Sequence, residues 1–325
     1  MRYDDQDRES KNVEDRRGQG GGGVFGNGGG IQIPIPMGGG GRGGFSLTTM
    51  LIIGAVMLFF GFNPLDLLRG GSPDLSQVPQ LPRSDQSRQA GSQRSPFEIP
   101  GQRAAVDSDE MKKFVSRVLA DTEDVWGKVF QGFGQRYKEP QLVIFSRATQ
   151  TACGTGQTAM GPFYCPLDQK VYIDLAFYEE LKRRFNAPGD FAQAYVVAHE
   201  VGHHVQTLLG IADRVQRMKE RTDQRTGNAI QVRMELQADC LAGVWANLNN
   251  QLKNRLEQGD IEEGLNAAAQ IGDDMIQKNL GSGRVVKEAF THGSAAARVR
   301  WFSQGFKTGS MQACDSFKAS QDQID

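Results

Sequence analysis

Apolar and polar positions are spaced differently in the two parts of this chain. Between residues 111 and 130 apolar side chains recur every three or four positions, which is typical of an amphipathic helix or a pair of helices. Short apolar runs at 142–145 and 171–175, flanked by Pro, Gly and Asp, predict two strands. Helical patterns follow at 191–209, 211–222, 230–250, 260–278 and 294–305. Residues 106–325 are therefore predicted to form one mostly helical α+β domain with a small sheet.

The first third of the chain lacks such periodicity. Residues 1–17 are mostly charged, and 15 of the 40 glycines fall between Gly18 and Gly44. Such a segment has little apolar surface to bury and much backbone entropy to lose, so we expect residues 1–44 to be a disordered, Gly-rich arm. Residues 63–105 hold six prolines among Ser, Gln and Arg, which predicts a flexible linker.

Residues 45–62 form an uncharged, mainly apolar run between these two segments. Eighteen helical residues reach about 27 Å, enough to cross the apolar layer of a bilayer. A buried helix of a soluble protein is the alternative, although such a helix rarely lies between a glycine-rich arm and a linker. A cleaved signal peptide fits less well, because more than 40 residues precede the run. We therefore expect one transmembrane helix that acts as an uncleaved signal anchor.

The four cysteines, Cys153, Cys165, Cys240 and Cys314, all follow this apolar run. Cys153 and Cys165 enclose a turn-rich stretch, and an even number of cysteines in an exported domain favours disulfides Cys153–Cys165 and Cys240–Cys314. Four buried free thiols are the alternative. Single arginines on either side of the run nearly cancel as orientation signals, so the expected disulfides decide: N-terminus cytoplasmic, main domain periplasmic or extracellular.

Charge is balanced along the chain, with 37 basic and 38 acidic side chains and a net charge of -1. This balance argues against a nucleic-acid-binding protein. The sequence leaves the oligomeric state open.

Three of the four histidines lie in the segment His199-Glu-Val-Gly-His-His204, inside the long helix predicted over 191–209. Residues four apart share a helix face, so His199 and His203 can point their imidazoles at one metal ion. Glu200 follows the first of them, where it can take a proton from a water on that ion. This is the HExxH pattern of zinc peptidases. Gly202 is expected to let a neighbouring element approach closely.

A zinc ion in an open catalytic site needs a third protein ligand. Gln206 and Leu209 stand where one class of zinc proteases, with the pattern HExxHxxGxxH, requires Gly and His, which excludes that class. Glu235 and Asp239 lie four apart on the helix predicted over 230–250. Glu235 can complete the zinc ligands while Asp239 accepts a hydrogen bond from a ligand histidine. Exchanged roles, or two solvated carboxylates, remain alternatives.

The fourth histidine, His292, precedes the last predicted helix, which carries Arg298. A lone histidine is more often structural, but both side chains can aim at one spot. Peptide hydrolysis builds negative charge on the carbonyl oxygen, and a hydrogen-bond donor beside zinc stabilises that charge.

These motifs resemble those of known zinc peptidases. The pattern His199-Glu-x-x-His203 with Glu235-x-x-x-Asp239 resembles the gluzincin arrangement, in which two His and one Glu bind zinc. The element from Thr291 to Arg298 is similar to the Thr-His-Pro-(four residues)-Arg element of CAAX-type prenyl proteases, with Gly in place of Pro. With the stretches 8–17, 160–166 and 168–174, the resemblance covers nearly the whole chain and is to the bacterial YpfJ-like family of neutral zinc metallopeptidases.

The resemblance implies a zincin-like domain that binds Zn²⁺ through His199, His203 and Glu235. Glu200 is then the general base, and His292, with Arg298, stabilises the oxyanion. The expected protein is a single-pass zinc endopeptidase of the bacterial inner membrane that cleaves a peptide or protein substrate. The alternative is a non-catalytic periplasmic zinc-binding adaptor or assembly factor, whose site is closed by a fourth ligand. The candidates for that ligand are His204, Cys240 and His292.

Overall fold

A computed structural model describes residues 1–18, 100–279 and 283–325 of the chain. Its strands are β1 Val13–Asp15, β2 Gln141–Phe145, β3 Ala148–Thr151, β4 Gly154–Gln157, β5 Phe163–Cys165 and β6 Lys170–Asp174. Its α-helices are α1 Pro100–Gly132, α2 Ala176–Arg183, α3 Asp190–Leu208, α4 Ile211–Lys219, α5 Gln224–Lys253, α6 Asp260–Gln270, α7 Asp273–Asn279, α8 Ala295–Thr308 and α9 Gln321–Ile324. The described part is thus mostly helical with a small sheet, which confirms the predicted α+β class.

The larger sheet has the strand order β1-β2-β6-β5. Strands β1, β2 and β6 run parallel, whereas β5 pairs antiparallel with β6 and forms one edge. Strands β2 and β6 each bury four of five residues, as strands covered on both faces do. Both predicted strands are confirmed. Strands β3 and β4 form a separate antiparallel hairpin.

The helix that carries the histidines is α3, and Gly210 (φ 70°) follows it in the left-handed conformation that ends many helices. The helix predicted over 230–250 is the central part of α5. The single helix predicted over 260–278 is wrong, because the chain breaks at Gly272 into α6 and α7. At this break a Cβ on Gly272 would lie 2.5 Å from the backbone nitrogen of Ala295, so close packing against the start of α8 replaces helical continuity.

Helices α3, α5 and α8 pack together around a core in which the rings of Phe191 and Phe302 meet edge to face. Helices α5 and α8 cross at two glycines. A Cβ on Gly305 would overlap the carbonyl oxygen of Cys240, and one on Gly243 would overlap the backbone of Phe302. The two helix backbones therefore touch without intervening side chains, and α8 lies directly beside α5.

Residues 1–18, here called the head, are part of this domain, so the prediction that residues 1–17 are disordered is wrong. Strand β1 pairs with the edge of β2, and the Met1 ammonium lies 2.6 Å from Asp190 Oδ2. Arg255 donates to Asp7 at 2.5 Å and to Asp121 at 2.9 Å. The composition rule failed because it considers the segment alone, whereas its charges pair with opposite charges of the domain and its backbone with a strand edge.

The remaining residues of the predicted arm, the predicted transmembrane helix over 45–62 and linker residues 63–99 lie outside the described residues. The predicted linker ends too late, because α1 begins at Pro100, a favoured first position of a helix. Within the described ranges no helix is both long and apolar enough to span a bilayer. The two predicted disulfides, Cys153–Cys165 and Cys240–Cys314, are present.

Candidate metal centre

Helices α3 and α5 bring the predicted zinc ligands together. His199 and His203 lie on one face of α3 with ring centroids 4.9 Å apart. Glu235 of α5 places Oε2 3.2 Å from Nε2 of His199 and 3.3 Å from Nε2 of His203. All three side chains are largely buried. The structure thus joins two segments of the sequence at one point, as predicted.

The spacing of these atoms fits a tetrahedral zinc ion. Ligand nitrogens and oxygens lie about 2.0–2.2 Å from zinc, so neighbouring ligand atoms are roughly 3.3 Å apart. The distances of 3.2 and 3.3 Å agree with that separation. The donor set of two imidazoles and one carboxylate is also one that zinc accepts. His199, His203 and Glu235 can therefore supply three ligand atoms to one ion.

The charges in the pocket favour a cation. Burial alone lowers the pKa of His199, but Asp239 and Glu235 outweigh it and raise this pKa to about 10. The pKa of His203 is also raised, because Glu235 outweighs burial. Burial raises the pKa of Glu235, but the two histidines outweigh it and leave that pKa well below its ordinary value. The two buried carboxylates thus attract positive charge to the point between the ring nitrogens.

Gly202 sets the distance between the two helices, as the sequence predicted. A Cβ on Gly202 would lie 3.1 Å from the carbonyl oxygen of Ala238 on α5. A side chain there would require α5, which carries Glu235, to shift by a few tenths of an ångström.

Asp239 holds His199 from behind. Its Oδ1 lies 2.9 Å from His199 Nδ1, the nitrogen opposite the one that faces Glu235. Tyr195 donates to the same oxygen at 2.5 Å. Asp239 is therefore the orienting carboxylate of the prediction, and the alternative in which it replaces Glu235 as ligand finds no support in this geometry. Burial raises the pKa of Asp239, but Arg298 and His199 together lower it.

Arg298 does not have the predicted role beside the oxyanion. It is 2% exposed, and its guanidinium donates to both carboxylate oxygens of Asp239, at 2.9 and 3.0 Å. It also donates to the hydroxyl of Tyr195 at 3.1 Å and to the carbonyl oxygen of Ile271 at 3.2 Å. The prediction is corrected: Arg298 neutralises and fixes Asp239, and its hydrogen bonds reach His199 through that carboxylate.

Glu200 lies on α3 between the two histidines and is 8% exposed. No other residue of the described ranges donates a hydrogen bond to its carboxylate, which leaves both oxygens free for a water or a substrate.

His292 lies in the loop before α8, and its side chain is half exposed. Asp273 holds this loop. Its Oδ2 accepts from the backbone nitrogens of Thr291, His292 and Gly293 at 2.7, 2.6 and 3.0 Å, and its Oδ1 lies 3.3 Å from His292 Nδ1. Gly293 has φ 94°, which proline cannot adopt, so this loop differs from the Thr-His-Pro form.

The pKa of His292 reflects its neighbours. Burial lowers this pKa, but the hydrogen bond to Asp273 and the charge of Glu235 outweigh it, so the pKa is raised. His292 therefore lies close enough to Glu235 for that charge to act on it.

His204, one of the candidates for a fourth ligand, points away from the predicted zinc site. It is fully buried, with Nε2 2.6 Å from the carbonyl oxygen of Lys138 and Nδ1 3.0 Å from the hydroxyl of Tyr164 on β5. Burial lowers its pKa to about 4. His204 therefore ties α3 to the edge strand. With Cys240 in a disulfide, two candidates for a fourth zinc ligand are engaged elsewhere.

A second group of carboxylates, Asp190, Asp260 and Glu263, is also close enough for an ion. The Met1 ammonium lies 2.6 Å from Asp190 and 3.2 Å from Asp260. This group therefore already has its positive charge.

Sequence reasoning missed three residues that orient the site: Tyr195, Gln206 and Asp273. Tyr195 lies four residues before His199, so the helical repeat was a usable signal for it. Gln206, three residues after His203, accepts from that ring at 2.8 Å and carried the same signal. Asp273 had no local signal, because its partners lie 18 to 20 residues further along the chain.

Comparison with known proteins agrees with this site. A family model described as "Putative neutral zinc metallopeptidase" matches residues 1–317. The chain is similar to the "Uncharacterized protein YpfJ" of Escherichia coli (strain K12), with 45% identity over 315 residues that cover 96% of this chain and 98% of the relative. An uncharacterized protein of Mycobacterium tuberculosis (strain ATCC 25618 / H37Rv) is 40% identical over 238 residues, 69% of this chain and 77% of the relative. No solved structure matches the chain.

Proposed function

This chain belongs to the family of neutral zinc metallopeptidases, and we propose that it is a zinc-dependent endopeptidase. The observation that carries the proposal is the placement of Glu235 Oε2 at 3.2 and 3.3 Å from the Nε2 atoms of His199 and His203. A tetrahedral ion with these three ligands has one corner left for a water, which is the mark of a catalytic site.

Glu200 is the general base in this proposal. Zinc, when bound, supplies a Lewis acid that polarises the substrate carbonyl and makes water acidic near neutral pH. Glu200 lies directly after a ligand on α3, and its carboxylate has no hydrogen-bond donor among the described residues that would compete for it. It accepts the proton of the attacking water and passes that proton to the leaving amine.

His292 is the proposed donor to the oxyanion. Its side chain is open to solvent on one side, as a group that meets a substrate has to be, and Asp273 holds its loop through three backbone hydrogen bonds. A donor fixed in advance stabilises the transition-state charge without reorganisation. Asp239 and Arg298 serve the site differently, because they orient His199.

Strand β5 is the proposed guide for the substrate. It is an edge strand of three residues, paired on one side with β6, and Tyr164 links it to the histidine helix through His204. An extended peptide can add to such an edge by main-chain hydrogen bonds. An antiparallel edge strand beside the ligand helix also supports a zincin-like arrangement.

Attachment to a membrane through residues 45–62 is part of the proposal and rests on the sequence alone; a single crossing is not part of it, because strand β1 of the head pairs with β2 of the domain. The two disulfides support an oxidising compartment, such as the periplasm, for the folded domain.

The test uses purified full-length protein and its Glu200→Gln variant. We expect about one zinc per chain in both proteins, and cleavage of an unfolded protein substrate by the wild type only. Glu179→Gln, an exposed change on α2, is the matched control and should cleave normally. Cleavage by Glu200→Gln at the wild-type rate would remove Glu200 from the mechanism.

The non-catalytic adaptor makes a different prediction in the same experiment. Its zinc would be held by four protein ligands, and the wild type would cleave nothing. The engagement of His204 and Cys240 in other contacts argues against that closed site.

A further inference from the structure

The two histidine ligands are oriented by different chemical groups. A carboxylate, Asp239, lies behind His199, whereas a neutral amide lies behind His203: Gln206 Oε1 is 2.8 Å from His203 Nδ1. Gln206 is fully buried, one turn further along α3. A buried amide has to satisfy both its oxygen and its NH₂ group, so the partners of the NH₂ group decide which end faces the histidine.

Two backbone carbonyls settle the orientation of this amide. Gln206 Nε2 donates to the carbonyl oxygen of Met234 at 2.8 Å and to Oε1 of Gln237 at 3.1 Å. Gln237 Nε2 in turn donates to the carbonyl oxygen of Cys314 at 2.8 Å. A carbonyl oxygen only accepts, so each amide must turn its NH₂ group toward its carbonyl; the oxygen of Gln237 then faces Gln206, and the oxygen of Gln206 faces His203.

This chain of hydrogen bonds has one possible direction. Because Gln206 offers an oxygen to His203 Nδ1, that nitrogen must carry a proton. Nε2 of His203, 3.3 Å from Glu235, is then the nitrogen with the free electron pair that a metal requires. The backbone at Met234 and Cys314 thereby determines which nitrogen of His203 can bind zinc.

The carbonyl at the far end of the chain is itself held in place. Cys314 is joined to Cys240 of α5, next to Asp239. Arg233, also on α5, donates to the carbonyl oxygens of Ser316 and Ala319 at 2.5 and 3.0 Å. The C-terminal segment is therefore fastened to the same helix that supplies Glu235.

We propose that Gln206 and Gln237 are positioning residues that fix the tautomer and orientation of His203 through the disulfide-anchored C-terminal segment. This inference rests on the proposed zinc site and adds to it the residues that prepare its second histidine. Loss of such an orienting partner weakens metal binding by about 10- to 100-fold in comparable sites.

The test measures zinc affinity by competition with a chelator, with every variant made in the full-length Glu200→Gln protein so that activity plays no part. Gln206→Met keeps the side-chain length and removes the acceptor, and we expect zinc to bind about 10- to 100-fold more weakly. Gln206→Glu loses the donor to Met234 and Gln237 and adds a negative charge, but it keeps an acceptor for His203, as Asp239 is for His199, so its zinc affinity should not fall by more than about threefold. Gln237→Met leaves the bond to Met234 and should weaken zinc binding by less than Gln206→Met does.

Gln216→Met is the matched control, because Gln216 is exposed on α4 and its amide donates to Glu220; its zinc affinity should not change. Equal zinc affinity of Gln206→Met and the parent, or equal loss in Gln206→Met and Gln206→Glu, would refute the positioning role. If Gln206→Met does not fold, an unchanged affinity in Gln237→Met refutes it as well. A parent protein that binds no zinc would instead refute the proposed function.

Discussion

Arg298→Met removes the charge that balances a fully buried carboxylate. Arg298 is 2% exposed and donates to Asp239 at 2.9 and 3.0 Å, to Tyr195 at 3.1 Å and to the carbonyl oxygen of Ile271 at 3.2 Å. Methionine occupies much of the same volume and replaces none of these four bonds. Among the described side chains, Asp239, which has no exposed surface, then keeps the hydroxyl of Tyr195 and the ring of His199 as partners.

The cost follows from the burial of this pair. Removal of one partner of a buried ion pair typically costs about 3–5 kcal/mol, because the other charge stays buried without compensation. For a folded unit of this size each kcal/mol lowers the melting temperature by about 2–4 °C, so we expect a fall of roughly 6–20 °C. The same loss frees Asp239 to turn from His199, so zinc affinity should fall as well.

The assay is thermal and urea unfolding in the presence of a chelator, so that zinc makes no contribution to the difference. Arg300→Met is the matched control: Arg300 is exposed on the same helix and donates to one backbone oxygen, so its loss should stay within about 0.5 kcal/mol. The double variant Arg298→Met, Asp239→Asn should lose less than the sum of its single changes, because neither charge is then stranded. A loss below about 1 kcal/mol for Arg298→Met would refute the reasoning.

Three further predictions concern other parts of the fold. Gly305→Ala should lower the free energy of unfolding by about 3 kcal/mol, because the new Cβ would overlap the backbone of α5. Gly127→Ala, whose Cβ would have no neighbour within 4 Å, should raise that free energy by up to about 1 kcal/mol. Thermal melts that rank the two variants otherwise would contradict the close crossing of α5 and α8. Replacing Cys240 and Cys314 together by Ala should lower the free energy of unfolding by about 4 kcal/mol, because the disulfide closes a loop with a sequence separation of 74. Adding a reductant to the wild type should likewise lower its urea midpoint, and an unchanged midpoint would contradict this prediction. Hydrogen bonds from arginines lower the pKa of Asp7, Glu14 and Asp15 in the head. The contribution of these carboxylates to the free energy of unfolding is therefore complete above about pH 4.5, and it is lost as the pH falls through the lowered pKa values. Hydrogen exchange below pH 4 should then show the head losing protection before α3 does, and simultaneous loss would refute that order.

Parts of the proposed zinc site could be predicted from the sequence because they depend on local spacing. His199 and His203 share a face of one helix whatever that helix packs against, and the same holds for Glu235 and Asp239 on α5. The two pairs meet because α3 and α5 approach each other closely at Gly202. The one sign of this approach in the sequence was a glycine inside a predicted helix.

The role of Arg298 could not be predicted in the same way. Its partner Asp239 lies 59 residues away on another helix, and only the close crossing of α5 and α8 brings the two together. The sequence predicted that Arg298 would donate to the substrate oxyanion, whereas it donates to the carboxylate of Asp239. The prediction for the head was wrong for a related reason: the domain residues that pair with its charges lie far away along the chain.

The position of the head on the domain also limits how the protein can be arranged at a bilayer. Strand β1 of the head lies beside β2 in one sheet. When both strands belong to the same molecule, the head and the rest of the described domain lie on the same side of any membrane. A polypeptide that traverses a bilayer once leaves its two flanks on opposite faces. The expected topology, with the N-terminus inside, the peptidase outside and one crossing between them, is therefore incompatible with this packing within one molecule. An impermeant label that reaches a cysteine introduced on α1 should reach one introduced in the head from the same face.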